Sequence, residues 1–385
     1  MDGRTGLPVV GMVGAGQLAR MTHQAAIPLG QSLRLLAEHA DDGAALVAPD
    51  VVVGDYRSLA DLRAFAVGCD AVTFDHEHVP NEHIAALEAD GVNVHPSAAA
   101  AIHAQDKSVM RRRLTESGVP CPRWTTVGDA ADLDTFAAEV GWPVVLKAAR
   151  GGYDGKGVWV VGSAAEAAPV LASGTPLIVE EKVAIRRELA AVVARSAFGQ
   201  GAAWPVVETV QRDGICVEVL APAPALDPET AEQAQALALR VAADLGVTGV
   251  LAVELFETDA GLVVNELAMR PHNSAHWTIE GARTSQFEQH LRAVLDYPLG
   301  STAPTAPVTV MVNLLGGPDD VEPKSIDERV HHCFAHWPDV KLHLYGKQFR
   351  PGRKVGHVTA LGDDLETVRA RARAAADYLM NGGAL

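Results

Sequence analysis

Two stretches of the 385-residue chain carry side chains whose types and spacing could do chemistry. The first is GVLAVELFETDAGLVVNELAMRPHNSAHWT, residues 249–278. Glu254 and Glu266 each sit inside an apolar run, on either side of a turn signal at Asp259-Ala260-Gly261. A carboxylate inside an apolar strand is costly unless it is paired or bound to a metal. A hairpin turning at 258–261 brings both to one face, where they could share a cation, and Asn265 adds a neutral oxygen. Two carboxylates with phosphate oxygens and water make a good Mg2+ site. The plain alternative is two solvent-facing strand residues. Arg270, His272, Asn273, Ser274 and His276 follow in a loop whose polar density suits a reaction centre. Zinc is a rival for the two histidines, but neither a thiol nor a third histidine lies nearby at normal spacing.

The second stretch is KAARGGYDGKGVWVV, residues 147–161. Two strand-like runs flank a loop containing Gly151, Gly152, Gly155 and Gly157. Such a loop can fold over a polyphosphate, lined by backbone N–H groups, with Lys147 and Lys156 adding positive charge. It is not a P-loop, because GxxxxGK[ST] is absent and a strand follows where a P-loop gives a helix. A flexible surface hairpin is the alternative. Next, PLIVEEKV ends an apolar strand in Glu180-Glu181-Lys182-Val183, a strand end that can present backbone groups to an adenine edge and carboxylates to a ribose. Near the C-terminus, KQFRPGRKVGH gathers Lys347, Arg350, Arg353 and Lys354 in a chain of net charge −16. A cationic cluster against that balance reads as an anion site, or else as a solvated loop.

The elements that must position these groups are legible in outline. PVVGMVGAGQLARM reads as a buried strand over 9–13, then a Gly14-Ala15-Gly16-Gln17-Leu18-Ala19 turn opening a helix towards Ala26. Glycines let a backbone approach an anion, and a helix N-terminus favours negative charge. The turn also matches a dinucleotide fingerprint, with Glu38 near the acidic position. A dinucleotide, another anion and a purely structural turn all remain open. Strand signals at SLRLLAE, DVVVGD, CDAVTFD and VNVHP alternate with helices over 58–67 and 82–90, which predicts a parallel sheet in the first hundred residues. A helix over about 107–117 ends at Gly118, and Pro120 and Pro122 prevent its resumption. Its three arginines, Arg111 to Arg113, read as a solvated helix face rather than a basic patch.

Composition narrows the class. With 48% hydrophobic and 21% charged residues the chain is an ordinary soluble globular protein of two or three domains. No window approaches ~18 apolar residues, and the first residues lack a signal peptide's apolar region. Cys69, Cys121, Cys216 and Cys333 form no CxxC pair, which suggests reduced thiols in the cytoplasm. The acidic balance argues against nucleic acid as a partner.

In order, the lysine strand, glycine loop, VEEKV, paired glutamates and NELAMRPHNS resemble the ATP-grasp superfamily. GAGQLARM, TFDHEHVP, GGYDGKG, NELAMRPHNSAHWT, SQFEQHLRAVLDYPLG and RPGRKVGHV are together similar, over nearly the whole chain, to the N5-carboxyaminoimidazole ribonucleotide synthetase family of ATP-dependent carboxylases. The resemblance implies an α/β protein with a Rossmann-like pre-ATP-grasp domain at 1–103, an ATP-grasp domain at 104–300 with a lid at about 120–185, and a C-terminal domain at 301–385. It implies a cytoplasmic homodimer, with no nucleic-acid or membrane partner. That homodimer would use ATP, Mg2+ (or Mn2+) and bicarbonate to carboxylate the exocyclic amine of 5-aminoimidazole ribonucleotide through carboxyphosphate.

By family position, Lys107 and Lys147 contact the ATP phosphates, and Gly152, Tyr153, Asp154, Gly155, Lys156, Gly157 and Val158 cover them. Glu180, Glu181, Lys182 and Val183 meet the adenine and Glu188 the ribose. Gln211 stands near the nucleotide where a histidine is common. Glu254, Asn265 and Glu266 hold the metal. Arg270 steadies carboxyphosphate, and Asp154 orients or deprotonates the acceptor amine. Lys347, Arg353 and Lys354 take the ribonucleotide's phosphate, with Lys354 also counted as catalytic, and Gln17, Leu18, Asp75, Glu77, Asn273 and Ser274 complete the pocket. This reading turns the Gly14–Leu18 segment towards a non-dinucleotide anion. Asp75 and Ala275 replace the more usual glutamate and glycine. The rivals are a sister ATP-grasp enzyme, such as formate-dependent glycinamide ribonucleotide transformylase or biotin carboxylase, and a nucleotide-binding regulator without catalysis. The presence of Glu254, Glu266 and Arg270 argues against the regulator.

Overall fold

The structure, a computed structural model, describes residues 1–152, 155–317 and 326–382. Its first sheet is parallel, in the order Asp50–Val53, Ser32–Ala37, Val9–Val13, Ala71–Phe74. Val9–Val13 is buried along its whole length, as a central parallel strand covered on both faces must be. Strand order reverses between Val9–Val13 and Ala71–Phe74. The crevice outside the carboxyl ends at such a reversal is where open α/β sheets bind ligands. The Gly14–Gln17 turn leaves one of these strands and Asp75–Glu77 leave the other. The VNVHP run, expected as a strand, contributes a single bridge, Val72 to Val94. Pro96 offers no backbone donor, and Ser97 already caps the helix Ala98–Gln105.

A second, antiparallel sheet runs Trp124–Val127, Leu177–Glu181, Val144–Ala148, Val158–Val161. The helices Ala130–Val140 and Ala164–Leu171 cover one face, closing a small core around Leu133, Phe136, Leu146 and Val179.

Among the described residues the third sheet has nine strands. Along its path lie Gly261–Ala268, Gly249–Thr258, Arg187–Arg195, Val207–Arg212, Ile215–Ala221, Val308–Leu315, Lys354–Gly362 and Lys341–Leu344, and Gly201–Ala203 pairs with Arg187–Arg195. It crosses position 300 without a break, because Ile215–Ala221 pairs directly with Val308–Leu315. Glu218 on this seam is only 2% exposed. Two guanidinium groups from the helix Leu365–Asn381 hold it, Arg369 Nη2 at 2.7 Å and Arg373 Nη2 at 2.8 Å. A buried carboxylate is tolerable only when its charge and lone pairs are satisfied in this way. Among the described residues no helix is long and apolar enough to cross a membrane.

Candidate active site

Glu254 and Glu266 are direct cross-strand partners in the hairpin of Gly249–Thr258 and Gly261–Ala268. Carried on from the turn, the register would set Asn265 opposite Glu254 and point Glu266 to the other face. The register shifts after Glu254, so Asn265 is the extra residue of a β-bulge. The bulge brings Glu266 to the face that Asn265 already shares with Glu254, where Asn265 Nδ2 donates to Glu254 Oε2 at 3.3 Å. Burial pushes the Glu254 carboxyl up to about 7, with the charges of Glu266 and Glu188 adding to it. Two opposed carboxylates with an amide side chain beside them suit a divalent cation, which would remove that electrostatic cost.

Two lysines converge on the hairpin. Lys147, in the second sheet, donates from Nζ to Asn265 Oδ1 at 2.9 Å and lies 2.8 Å from Glu180 Oε2. Lys107 begins the helix Lys107–Glu116, and its Nζ is 2.7 Å from Glu266 Oε1. Asp106 caps that helix, accepting from the Ser108 and Val109 amides, and its other oxygen takes Arg150 Nε at 2.8 Å. The Lys107 amide donates to Ala149 O, which ties the helix start to the end of the lysine strand.

The glycine loop follows. Gly152 and Gly155 have φ of +82° and +76°. A Cβ on Gly152 would meet Lys156 O at 2.6 Å, so no other residue fits there. Gly155 packs against the Gly214 turn of the third sheet. The expectations for Tyr153 and Asp154 lie outside the described residues. Gly157 and Val158 lead into the strand Val158–Val161, and Lys156 lies between them and the glycine tip.

Several expected roles take a different form. Arg111 is not part of a solvated face: it is fully buried, and its Nε donates to Glu180 Oε1 at 2.6 Å. Glu180 is thereby held between Arg111 and Lys147, and Glu181 accepts from the Arg123 amide at 2.7 Å. These carboxylates are committed within the protein, so at this strand end it is backbone that can face an adenine. Lys182 and Val183 lie in the connection to Arg187–Arg195. Glu188 accepts a hydrogen bond from Gln211, and its charge reaches Glu254.

The N-terminal turn already holds an anion from its own chain. The Gly16 amide donates to Asp75 Oδ2 at 2.7 Å, and a Cβ on Gly14 would lie 1.8 Å from Asp75 Oδ1. Glu38 is committed to Arg57, which removes the acidic partner of the dinucleotide reading. The Leu18 side chain is buried with Met21, Phe287 and Tyr345, so its backbone alone can serve a ligand. Gln17 accepts from Lys347 Nζ, and Arg270 Nε lies 2.8 Å from Glu77 Oε2. A pocket lined by Phe74, Ile84, Met269 and Arg270 among others opens beside that pair.

His272, expected as part of a polar reaction-centre loop or as a zinc ligand, stands against the carboxylate hairpin. Burial drives it to about 3, so it is neutral. Its Nδ1 pairs with Ser274 Oγ at 2.9 Å and its Nε2 lies 3.4 Å from Glu254 Oε1. With Nδ1 also accepting from the Ser274 amide, the proton sits on Nε2 and faces Glu254. Ser274 is thus spent on His272, whereas both side-chain polar atoms of Asn273 are buried without a partner. His276 Nδ1 meets Gln286 Nε2 at 2.9 Å, whereas His272 Nε2 faces Glu254. In the basic run, Lys354 lies close enough for its charge to be felt at His272 and His276. Arg353 is exposed, with one long contact to Gln348 O at 3.4 Å.

Asp75 yields a pH test. Burial raises its carboxyl from 3.8 to about 6, against the Gly16 hydrogen bond and the charges of Arg270 and Lys347. The folded protein therefore binds more protons than the unfolded chain between about pH 4 and 6, and Asp75's contribution to stability falls as pH rises through that window. Asp75→Asn keeps an acceptor for Gly16 and abolishes the titration. Its melting temperature should gain on the parent from pH 4 to 6 and hold that gain above, a change of roughly 3 kcal/mol. A constant gap across pH 4–8 would contradict this.

Charged lysines around a carboxylate hairpin, beneath a glycine loop on a separate antiparallel sheet, define an ATP-grasp protein. Family models agree: the ATP-grasp domain matches residues 112–287, the ribonucleotide synthetase preATP-grasp domain 7–105 and the phosphoribosylaminoimidazole carboxylase C-terminal domain 309–371. N5-carboxyaminoimidazole ribonucleotide synthase of Mycobacterium tuberculosis (strain ATCC 25618 / H37Rv) is 61% identical over 380 residues, covering 97% of this chain and 88% of that protein. The crystal structure of the synthetase from Thermus thermophilus superposes with a TM-score of 0.86 at 38% identity, over 97% of this chain and 99% of that one. The Aspergillus clavatus synthase, in complex with ADP and 5-aminoimidazole ribonucleotide, gives 0.87 at 30% identity over 97% and 98%. The chain belongs to the N5-carboxyaminoimidazole ribonucleotide synthase family.

Proposed function

We infer that the protein carboxylates the exocyclic amine of 5-aminoimidazole ribonucleotide, using ATP and bicarbonate, in purine biosynthesis. The observation that carries this is the convergence of Lys107, Lys147 and the Glu254–Glu266 hairpin on one side and Arg270, Lys347 and Asp75 on the other. A bicarbonate oxygen attacks the γ-phosphorus, the bond to the ADP oxygen breaks, and carboxyphosphate forms. Carboxyphosphate releases CO2 and phosphate, and the amine nitrogen bonds to the CO2 carbon and gives up a proton. The protein's part is positioning and charge stabilisation.

Lys107 and Lys147 steady the phosphates, and the glycine loop, Gly152 and Gly155–Val158 with Tyr153 and Asp154, closes over them. Glu254, Asn265 and Glu266 hold Mg2+, or Mn2+, which neutralises phosphate charge when bound. The backbone of Glu180–Val183 meets the adenine and Glu188 the ribose. Arg270 holds the carboxyphosphate, with Glu77 aligning its guanidinium. Asp154 orients the amine. Lys347, Arg353 and Lys354 take the ribonucleotide's phosphate, and Gln17, the Leu18 amide, Asp75 and Asn273 line its pocket. A sheet boundary near 300 is absent, so the three regions act as Rossmann-like, ATP-grasp and C-terminal portions of one body. We place the protein in the cytoplasm as a homodimer, in keeping with its four free cysteines.

The test is product formation. ADP release should require both bicarbonate and 5-aminoimidazole ribonucleotide. Release with formate and glycinamide ribonucleotide instead would assign the chain to the sister activity.

A further inference from the structure

We propose that Arg111 is a positioning residue that shapes the cation hairpin and aims Lys147, so that nucleotide and divalent cation are read by one buried charge network. This rests on the assignment of Glu254, Asn265 and Glu266 to the cation.

Besides a long contact from Nη1 to Cys121 Sγ at 3.7 Å, the guanidinium donates to three oxygens. Nε donates to Glu180 Oε1 at 2.6 Å, Nη1 to Val264 O at 2.8 Å and Nη2 to Asn265 O at 2.7 Å. Val264 and Asn265 lie on Gly261–Ala268, the end strand of the third sheet, so their outward groups have no strand beside them. Exposed strand edges need a cover, and here Pro120 O takes the Val264 amide while Arg111 takes the two carbonyls. Those carbonyls belong to the bulge and the residue before it. The arginine therefore grips the irregularity that brings Glu266 opposite Glu254.

A circuit closes through the side chains. Glu180 accepts from Arg111 with one oxygen and faces Lys147 Nζ at 2.8 Å with the other. Lys147 also donates to Asn265 Oδ1, and Asn265 Nδ2 reaches Glu254. The Asn265 backbone is fixed by Arg111 and its side chain by Lys147, and the two cations share the same glutamate. Without the guanidinium, Glu180 would be left with Lys147 alone. The ammonium would be drawn towards it, away from Asn265 and from a bound phosphate, and the bulge would lose its clamp. Lysine cannot substitute, because an ammonium is a point charge and cannot span three separated acceptors in one plane.

The experiment uses the full chain with Arg111→Lys and Arg111→Met. Mn2+ affinity in the presence of ADP is read by electron paramagnetic resonance, and ADP affinity by calorimetry with and without Mg2+. Both are expected to fall about 10- to 100-fold for Mn2+ and for ADP with Mg2+, the loss of one or two charge-assisted hydrogen bonds. Ribonucleotide binding should be unchanged. Should Arg111→Met fail to fold, Arg111→Lys with a native circular dichroism spectrum decides. Parental Mn2+ and ADP affinities in that variant overturn the proposal, as does an equal weakening of ribonucleotide binding, which would mark a general structural role. If the parent protein itself binds no Mn2+ with ADP present, the cation assignment falls first and the proposal with it.

Discussion

Replacing Glu254 or Glu266 with glutamine is expected to lower turnover by ~10²-fold or more, the usual scale for removing a charge-stabilising group from a phosphoryl-transfer site. The structure adds a second, opposite expectation. Glu254 is buried against Glu266 and Glu188, and its carboxyl is raised to about 7 for that reason. Glutamine relieves this repulsion, so the nucleotide-free Glu254→Gln protein should melt no lower than the parent while losing its stabilisation by Mg2+ with ADP. Steady-state rates at saturating Mg2+ and thermal melts with and without Mg2+–ADP check both halves. Near-normal turnover in both variants would end the assignment of the hairpin to the cation.

The second large effect lies at the other substrate. Arg353→Ala should raise the KM for 5-aminoimidazole ribonucleotide about 10- to 150-fold, from the ~1.5–3 kcal/mol carried by charge-assisted hydrogen bonds to a phosphate. The KM for ATP should move far less. Arg353 is exposed, so its loss leaves no buried cavity or unpaired charge to confuse the reading. Varying each substrate separately distinguishes the outcomes. A raised ATP KM with an unchanged ribonucleotide KM would move the basic run to the nucleotide.

The hairpin and the glycine loop are legible because their signals are local. Alternating apolar residues around Asp259-Ala260-Gly261 specify the turn, but the turn's own register sets Glu254 opposite Asn265, and only a bulge brings Glu266 there. The bulge at Asn265 has no such signal, since nothing in LVVNELA marks which residue is the extra one. Arg111 misleads for a similar reason. On the helix Lys107–Glu116 it borders the buried Met110 and Leu114, and its partner Glu180 comes from a distant strand. Charge runs on helices usually face water, and only tertiary pairing reverses that expectation. The Gly14–Gly16 turn is suited to an anion, as its sequence suggests, but the anion it holds in the structure is Asp75, from the neighbouring strand's end. The continuity of the third sheet past position 300 is likewise beyond reach, because strand pairing between 215–221 and 308–315 leaves no mark in either segment alone.

That continuity has a consequence for how the chain is made. As the protein leaves the ribosome, Ile215–Ala221 emerges long before its partner Val308–Leu315, and its outer edge has nothing to pair with until then. Glu218 on that edge waits longer still, for Arg369 and Arg373 near the end of the chain. The frame that carries both the cation hairpin and the basic run is therefore locked only when synthesis is almost complete: a nascent chain halted before residue 308 presents an open strand edge, and one halted before residue 369 still leaves the Glu218 carboxylate unneutralised.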